Sequence, residues 1–317
     1  MNRVLVTGGA GMIGSAVVRR LLVDCSWEAR VADHRPAPRW MREACEVRTG
    51  DLRQADVAHA AAEGCSHVIH LAAIVGGIAN FHKLPYTLTA VNNALTGSLL
   101  DAALGQGIER FLYVSSSMVF ENAREFPTTE AHLRECPAPH SAYGFSKLSG
   151  EVYTRAAHDQ HGLPYTICRP FNAYGPGELP EPGEPGVAHA VPDLIAKALS
   201  RQRPLQLFGS GRQTRTLTYV DDIADGIVTA MAAPAAENED FNISASQEVT
   251  IAELAEMIWR QCGQDPAELE LAHLPSFEVD VQRRWPSVEK AQTLLEWEAK
   301  VELVDGLERT VRWLREQ

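Results

Sequence analysis

The 317-residue chain reads as an α/β protein, a doubly wound parallel sheet followed by a smaller mixed α/β C-terminal lobe. Three observations carry that reading. The apolar run Val4-Leu5-Val6 enters a glycine turn spaced Gly8-x-x-Gly11-x-x-Gly14. A second strand signal, Ala29-Arg-Val-Ala32, ends in Asp33, about 20 residues after the turn. Apolar strand-like runs then alternate with helical patterns as far as Pro170, the rhythm of a parallel sheet with crossover helices.

Each element follows in order. The glycines permit a tight turn and let backbone N–H groups approach a pyrophosphate at the start of a helix over Ser15 to Val23. A carboxylate at Asp33 accepts hydrogen bonds from adenosine ribose hydroxyls and repels a 2′-phosphate, which favours NAD over NADP. Arg35 stands close enough to accommodate that phosphate, so NADP stays open as the less favoured cofactor. Gly50-Asp51-Leu52 follows a third strand signal and caps a helix or lines an adenine pocket. His67 to Ala73 reads as a fourth strand, ending in small residues where backbone must pass close to a ligand. Val75-Gly-Gly-Ile-Ala-Asn80 is a flexible loop, and Tyr86 to Leu104 a long helix with Asn92 and Asn93 at its middle. Phe111 to Val114, the fifth strand, delivers Ser115-Ser-Ser117 to its carboxyl end, the edge of a parallel sheet where ligands bind.

Ser141-Ala-Tyr-Gly-Phe-Ser-Lys147 places a phenol, Tyr143, and an ammonium, Lys147, four residues apart, on one face of a helix. A free phenol, with a pKa of roughly 10, is a poor base near neutrality. A fixed cation beside it, with a positively charged nicotinamide, favours the phenolate. Tyr143 can then take a proton from a substrate hydroxyl or return one to a ketone. Pro164 to Pro170 is a sixth strand. The stretch Gly175 to Gly186, dense in proline and glycine, is a loop that serves as a linker or as a wall of a substrate pocket. A helix over Val187 to Leu199, a strand over Leu205 to Phe208, a turn at Gly209-Ser-Gly211 and a strand over Thr216 to Val220 follow. Asp222 to Met231 is a helix and Phe241-Asn-Ile243 the last strand of the main sheet. Ile251, Leu254, Ala255 and Ile258 recur at helical spacing, as do Val304, Leu307, Val311 and Leu314, and these helices serve packing.

Composition narrows the class. With 45% apolar and 22% charged residues the chain is ordinary for a soluble protein, and its net charge of −12 argues against a nucleic-acid surface. Six cysteines without a CxxC pair argue against a zinc site or a disulfide framework and suit a reducing cytoplasm. No run of 18 apolar residues suggests a membrane span.

Taken together, TGGAGMIG, Asp33, Asp51-Leu52, HLAA at 70–73, Ser-Ser-Ser before Val119-Phe120, YGFSK, RPFNAYGPG, QTRTLTYVDDIADGI and the tail VEKAQTLLEW resemble the extended short-chain dehydrogenase/reductase superfamily, in its nucleotide-sugar epimerase and dehydratase branch. The resemblance covers nearly the whole chain. It implies a Rossmann domain over 1–174, also receiving about 217–245, that holds NAD, and a lobe over 175–317 that binds a nucleoside-diphosphate sugar. It also implies a homodimer. It assigns catalysis to Ser116, Tyr143 and Lys147. Dinucleotide contacts fall to Gly8, Gly11, Met12, Ile13, Gly14, Asp33, Arg35, Asp51, Leu52, Leu71, Ala72, Ala73, Asn92, Tyr143, Lys147 and Pro170. Sugar-nucleotide contacts fall to Val75, Gly76, Ser116, Ser117, Met118, Asn172, Arg215 and Arg283, with Arg284 also in position to meet the diphosphate. No metal is implied.

The departures discriminate among members. Dehydratases and decarboxylases of the branch carry an acid one or two residues after the catalytic serine, where this chain has Ser117 and Met118. A thioether cannot shuttle a proton. GDP-fucose synthases and GDP-mannose 3,5-epimerases resemble this chain at Val75 to Asn80 and at Ala188-His-Ala-Val-Pro192, where His189 matches an acid/base histidine. They have a cysteine in place of Met118. His189 therefore reads as an acid/base group or as a polar capping residue. Phe277 replaces an arginine common in relatives. The expectation is an NAD-dependent epimerase acting at carbon 4. The alternatives are a synthase-like 3,5-epimerase or reductase using His189 and a catalytically silent dinucleotide sensor.

Overall fold

In a computed structural model of the chain, residues 2–23, 27–75, 83–180, 188–277 and 281–317 are described. The first half follows the sequence pattern. β1 (Asn2–Thr7), α1 (Met12–Val23), β2 (Trp27–Asp33), α2 (Arg39–Ala44), β3 (Glu46–Thr49), α3 (Ala55–Ala62) and β4 (His67–His70) come first. α4 (Pro85–Gln106), β5 (Arg110–Val114), α5 (Ala142–His161) and β6 (Tyr165–Pro170) continue the alternation. β11 (Glu239–Ile243) completes a seven-stranded sheet in the order β11-β6-β5-β4-β1-β2-β3, with every pairing parallel. The chain leaves β3 at one edge and re-enters beside β1 as β4. That reversal of direction opens a crevice at the carboxyl ends of β1 and β4, where ligands of such sheets bind.

The inner strands β4, β5 and β6 are buried on both faces because helices cover both, whereas the edge strand β3 is not. One layer is α1 with α7 (Val220–Ala232), packed through Val17, Leu21, Ile223 and Ile227. The other is α3, α4 and α5, packed through Ala58, Leu99, Ala103 and Phe111. Local chemistry sets the helix ends. α4 starts with a proline in its first turn and stops at Gly107, whose φ of 65° is the left-handed conformation that glycine tolerates. α5 starts at Ser141, whose hydroxyl accepts the Gly144 N–H at 3.1 Å, a cap worth about 1 kcal/mol.

The later elements gather round another core of Tyr174, Leu194, Leu207, Leu254, Trp259 and Leu307. They include β7 (Ala173–Tyr174), α6 (Ala190–Leu199), β8 (Leu205–Phe208), β9 (Thr214–Thr216) and β10 (Thr218–Tyr219). β12 (Glu248–Thr250), α8 (Ile251–Gln261), β13 (Leu271–Leu274) and α10 (Leu303–Arg315) complete it, and α9 (Glu289–Leu295) packs back toward the main sheet. The single strand expected over Thr216 to Val220 is two pieces. β9 pairs antiparallel with β12 and β10 parallel with β7, while the intervening Leu217 turns into the lobe core. Side-chain bonds secure the break. Asn172 donates to the Thr216 carbonyl at 2.9 Å, and the Thr218 hydroxyl accepts the Ala245 N–H at 3.0 Å.

Candidate active site

The carboxyl ends of the central strands open into a cavity of about 1650 Å³ that runs from the glycine turn to β8, Gln213, Arg215 and Arg284. A site for one drug-sized ligand occupies roughly 300–1,000 Å³. This cavity has room for two ligands end to end.

Backbone dominates the first end. A Cβ on Gly14 would lie 2.2 Å from the Gly8 carbonyl oxygen, and one on Gly8 (φ 69°) 2.8 Å from the Ala72 nitrogen. Only glycine lets α1 begin this close to β1 and β4, which presents a row of N–H groups suited to a pyrophosphate. Thr7 and His70 fix the strand ends: the Thr7 hydroxyl meets His70 Nδ1 at 2.9 Å and accepts the Ala72 N–H at 3.2 Å. Burial pushes His70 down to about 3, so it works here as a neutral ring. Asp33 is almost fully buried. Its carboxylate accepts N–H groups of Ala10 (3.0 Å) and Arg35 (2.9 Å) and lies 3.3 Å from the Arg35 guanidinium. Burial works against its charge, but the bonds from Arg35 and Ala10 prevail and hold its pKa below the ordinary value. The residues present therefore fit the adenosine and pyrophosphate of a dinucleotide.

The reacting end stands on α5 and the tip of β5. Tyr143 and Lys147 are both buried and both line the cavity. The Ser116 hydroxyl is hydrogen-bonded to the Tyr143 phenol and also accepts the Met118 N–H at 3.1 Å. Lys147 Nζ donates to the Val114 carbonyl at 2.8 Å, which fixes the ammonium on the tip of β5. Burial pushes Tyr143 up to about 12, with Ser116 and the Arg284 charge pulling back. Burial also brings Lys147 down to about 8, against the pull of Glu151.

The far wall holds the remaining charges. Asn172, at φ 40°, accepts from Arg284 Nη1 at 3.0 Å. Arg284 Nη2 reaches Met118 Sδ at 2.8 Å, so a guanidinium stands at the residue two positions after Ser116. Arg215 lines the cavity and donates to the carbonyls of Thr214 and Val281. His189 occupies the N-cap position of α6 without capping it. Its Nδ1 instead meets the Glu178 carboxylate at 2.5 Å. Burial opposes the imidazolium, yet Glu178 prevails and raises His189 above the ordinary histidine value while His189 lowers Glu178.

Most of the sequence-derived site residues line this cavity, among them Met12, Ile13, Leu52, Leu71, Ala73, Val75, Ser117 and Pro170. Asp51 lines it too, in an ion pair with Arg53. Gly76 lies outside the described residues. Two placements differ from expectation. Asn92 is buried behind the wall, where its amide holds the Ile74 N–H and C=O and the Ser146 hydroxyl; it braces the β4 loop against α5. Arg283 points away from the cavity, bonded to Glu248 at 2.9 Å through both Nε and Nη2, because neighbours in an extended segment face opposite sides. Arg284 takes the inward position. Sequence reasoning missed Glu178, whose only signal was an acid in the loop ahead of His189. It also missed Phe208, which packs against Phe277 along the same wall, with ring centroids 4.7 Å apart and the planes tilted.

A glycine turn on a parallel sheet, a buried carboxylate at the tip of the next strand and a serine-bonded tyrosine with a lysine one turn on fit a dinucleotide-dependent enzyme that interconverts hydroxyl and carbonyl groups. The chain belongs to the NAD dependent epimerase/dehydratase family, whose model matches residues 4–244. It is 32% identical over 322 residues to a UDP-glucose 4-epimerase of Mycolicibacterium smegmatis, covering 99% of this chain and 98% of that one. It is 28% identical to the GDP-mannose 3,5-epimerase of Arabidopsis thaliana, covering 99% of this chain and 82% of that one. The structure of a Thermotoga maritima UDP-glucose 4-epimerase with UDP-glucose superimposes with a TM-score of 0.88 at 29% identity, covering 99% of each chain.

Proposed function

We propose that the protein is an NAD-dependent 4-epimerase of a nucleoside-diphosphate sugar. The observation that carries this reading is the pair formed by Tyr143 with Ser116 beside Met118, a thioether where elimination or decarboxylation calls for an acid. Gly8, Gly11, Gly14, Asp33 and Lys147 would hold the dinucleotide, and Asn172, Arg215 and Arg284 the sugar diphosphate. Bound NAD supplies a hydride acceptor and donor for carbon 4 and a positive ring whose charge favours the Tyr143 phenolate. Tyr143 takes the proton of the 4-hydroxyl and later returns it to the ketone oxygen. Ser116 donates a hydrogen bond to that oxygen as charge develops on it. Lys147, anchored on Val114, adds a fixed positive charge. No further acid or base is needed.

The Glu178–His189 pair favours a second reading, in which a proton moves at a carbon beside a ketone, as a 3- or 5-epimerase requires. Exposed Tyr86, Phe145, Val152 and Tyr153 on α4 and α5 support a homodimer through those helices. The test is incubation of the purified protein and NAD with UDP-, GDP-, dTDP- and CDP-sugars, UDP-hexoses first, with products resolved by chromatography. Conversion of a sugar nucleotide to its 4-epimer supports the reading. A keto-deoxy or decarboxylated product contradicts it.

A further inference from the structure

Beneath the reacting end lies a charge cluster that the mechanism above leaves unused. Glu151 stands on α5 one turn beyond Lys147 and two beyond Tyr143, and it is 1% exposed. Its carboxylate accepts the Ser115 hydroxyl at 2.6 Å and is clasped by Arg169, Nε at 2.8 Å and Nη2 at 2.7 Å. Arg169, fully buried on β6, also reaches Asp240 on β11 at 2.7 Å, and Lys290 and Arg155 close the far side of Asp240. Replacing a buried ion pair by apolar residues of similar volume is often neutral or even stabilising, so stability alone is a weak reason for it.

Its location supplies another reason. Ser115 is the middle residue of a three-residue stretch. Before it, the Val114 carbonyl holds Lys147 Nζ; after it, the Ser116 hydroxyl meets the Tyr143 phenol. Glu151 therefore grips the strand tip that positions two members of the catalytic set, from the helix that carries the other two contacts. We propose that Glu151 is a positioning residue for Ser116, Tyr143 and Lys147, acting through Ser115 on the serine and through its charge on the ammonium. The proposal rests on Tyr143 being the acid/base group. Glu151 also opposes the effect of burial on Lys147, the direction this role requires.

Glu151→Gln keeps the shape and removes the charge, whereas Ser115→Ala removes only the link to the strand tip. Both variants should bind NAD as the wild type does and lose about tenfold or more in kcat with little change in KM, since small misplacements near reacting atoms cost that much. Only Glu151→Gln should lower the pH at which Lys147 loses its proton. That titration is read by NMR of lysine labelled at Nζ and assigned with Lys147→Met, so it needs no substrate. Should Glu151→Gln prove unfolded, Ser115→Ala carries the test through its loss of kcat at unchanged NAD affinity. An unmoved Lys147 titration, or losses that fall on NAD affinity and thermal stability while kcat is kept, would overturn the proposal. A wild type inactive on every sugar nucleotide would sink the 4-epimerase reading, while the titration would still decide this one.

Discussion

Tyr143 and Lys147 are almost completely buried on a 20-residue helix that is tied to the sheet by Ser116, Val114 and Glu151. Glu178 and His189, which line the same cavity, are respectively part-buried and half-exposed, and they hold chiefly each other. Burial shifts the first pair toward its neutral forms, and only fixed neighbours restrain the shift. Mutual attraction shifts the second pair toward its charged forms. An acid/base group needs a fixed position and a proton affinity that a bound partner can move, and the buried pair has both. The exposed pair has proton-carrying chemistry without the scaffold, so substitutions in the two pairs should differ in scale.

The largest effect is expected in the buried pair. Tyr143→Phe should cut turnover by roughly 100-fold or more while NAD binding, followed by titration calorimetry, stays near wild type. Wild-type turnover in that variant would erase the contrast between the pairs. The pH profile comes next. Burial lowers Lys147 to about 8, so its charge is present below that pH and is lost as pH rises through it. On the alkaline side kcat should fall by about tenfold per pH unit. Lys147→Arg, which keeps its charge to higher pH, should remove that limb even if its overall rate is lower.

Arginines 283 and 284 give a smaller and sharper comparison. Arg284→Met should raise KM by roughly 10- to 100-fold, the range for losing hydrogen bonds from a charged group. Arg283→Ala should leave kinetics within about twofold, because its partner Glu248 lies off the cavity. The smallest effect belongs to His189. His189→Ala should keep turnover within about threefold, the level expected when a group takes no part in the transition state. NMR should find its pKa above the ordinary value in the wild type and lowered in Glu178→Gln.

The sheet was legible in the sequence because a parallel strand buried on both faces is a continuous apolar run, and the glycine turn marks where the first one ends. The helix that carries Tyr143 and Lys147 was legible through their fixed four-residue spacing. The later elements were less so. Leu217 interrupts what reads as one strand because tertiary pairing with β7 and β12 overrides the local pattern. β12 and β13 are short and carry little periodicity. Within the site, identity was readable and direction was not. Which of Arg283 and Arg284 faces inward depends on the phase of an extended segment. That Lys147 reaches the Val114 carbonyl depends on the depth of α5 against β5. Glu178 and His189 are 11 residues apart and meet only through the fold.

Turnover in deuterated water, with product mass and label position read on whichever sugar nucleotide is converted, tests the central claim most directly. In 4-epimerisation through Tyr143 the hydride leaves carbon 4 and returns within one closed cycle, so the product should carry no carbon-bound deuterium, in the wild type and in His189→Ala alike. Deuterium at carbon 3 or 5, lost together with activity in His189→Ala, would place the chemistry on the Glu178–His189 pair and contradict the account.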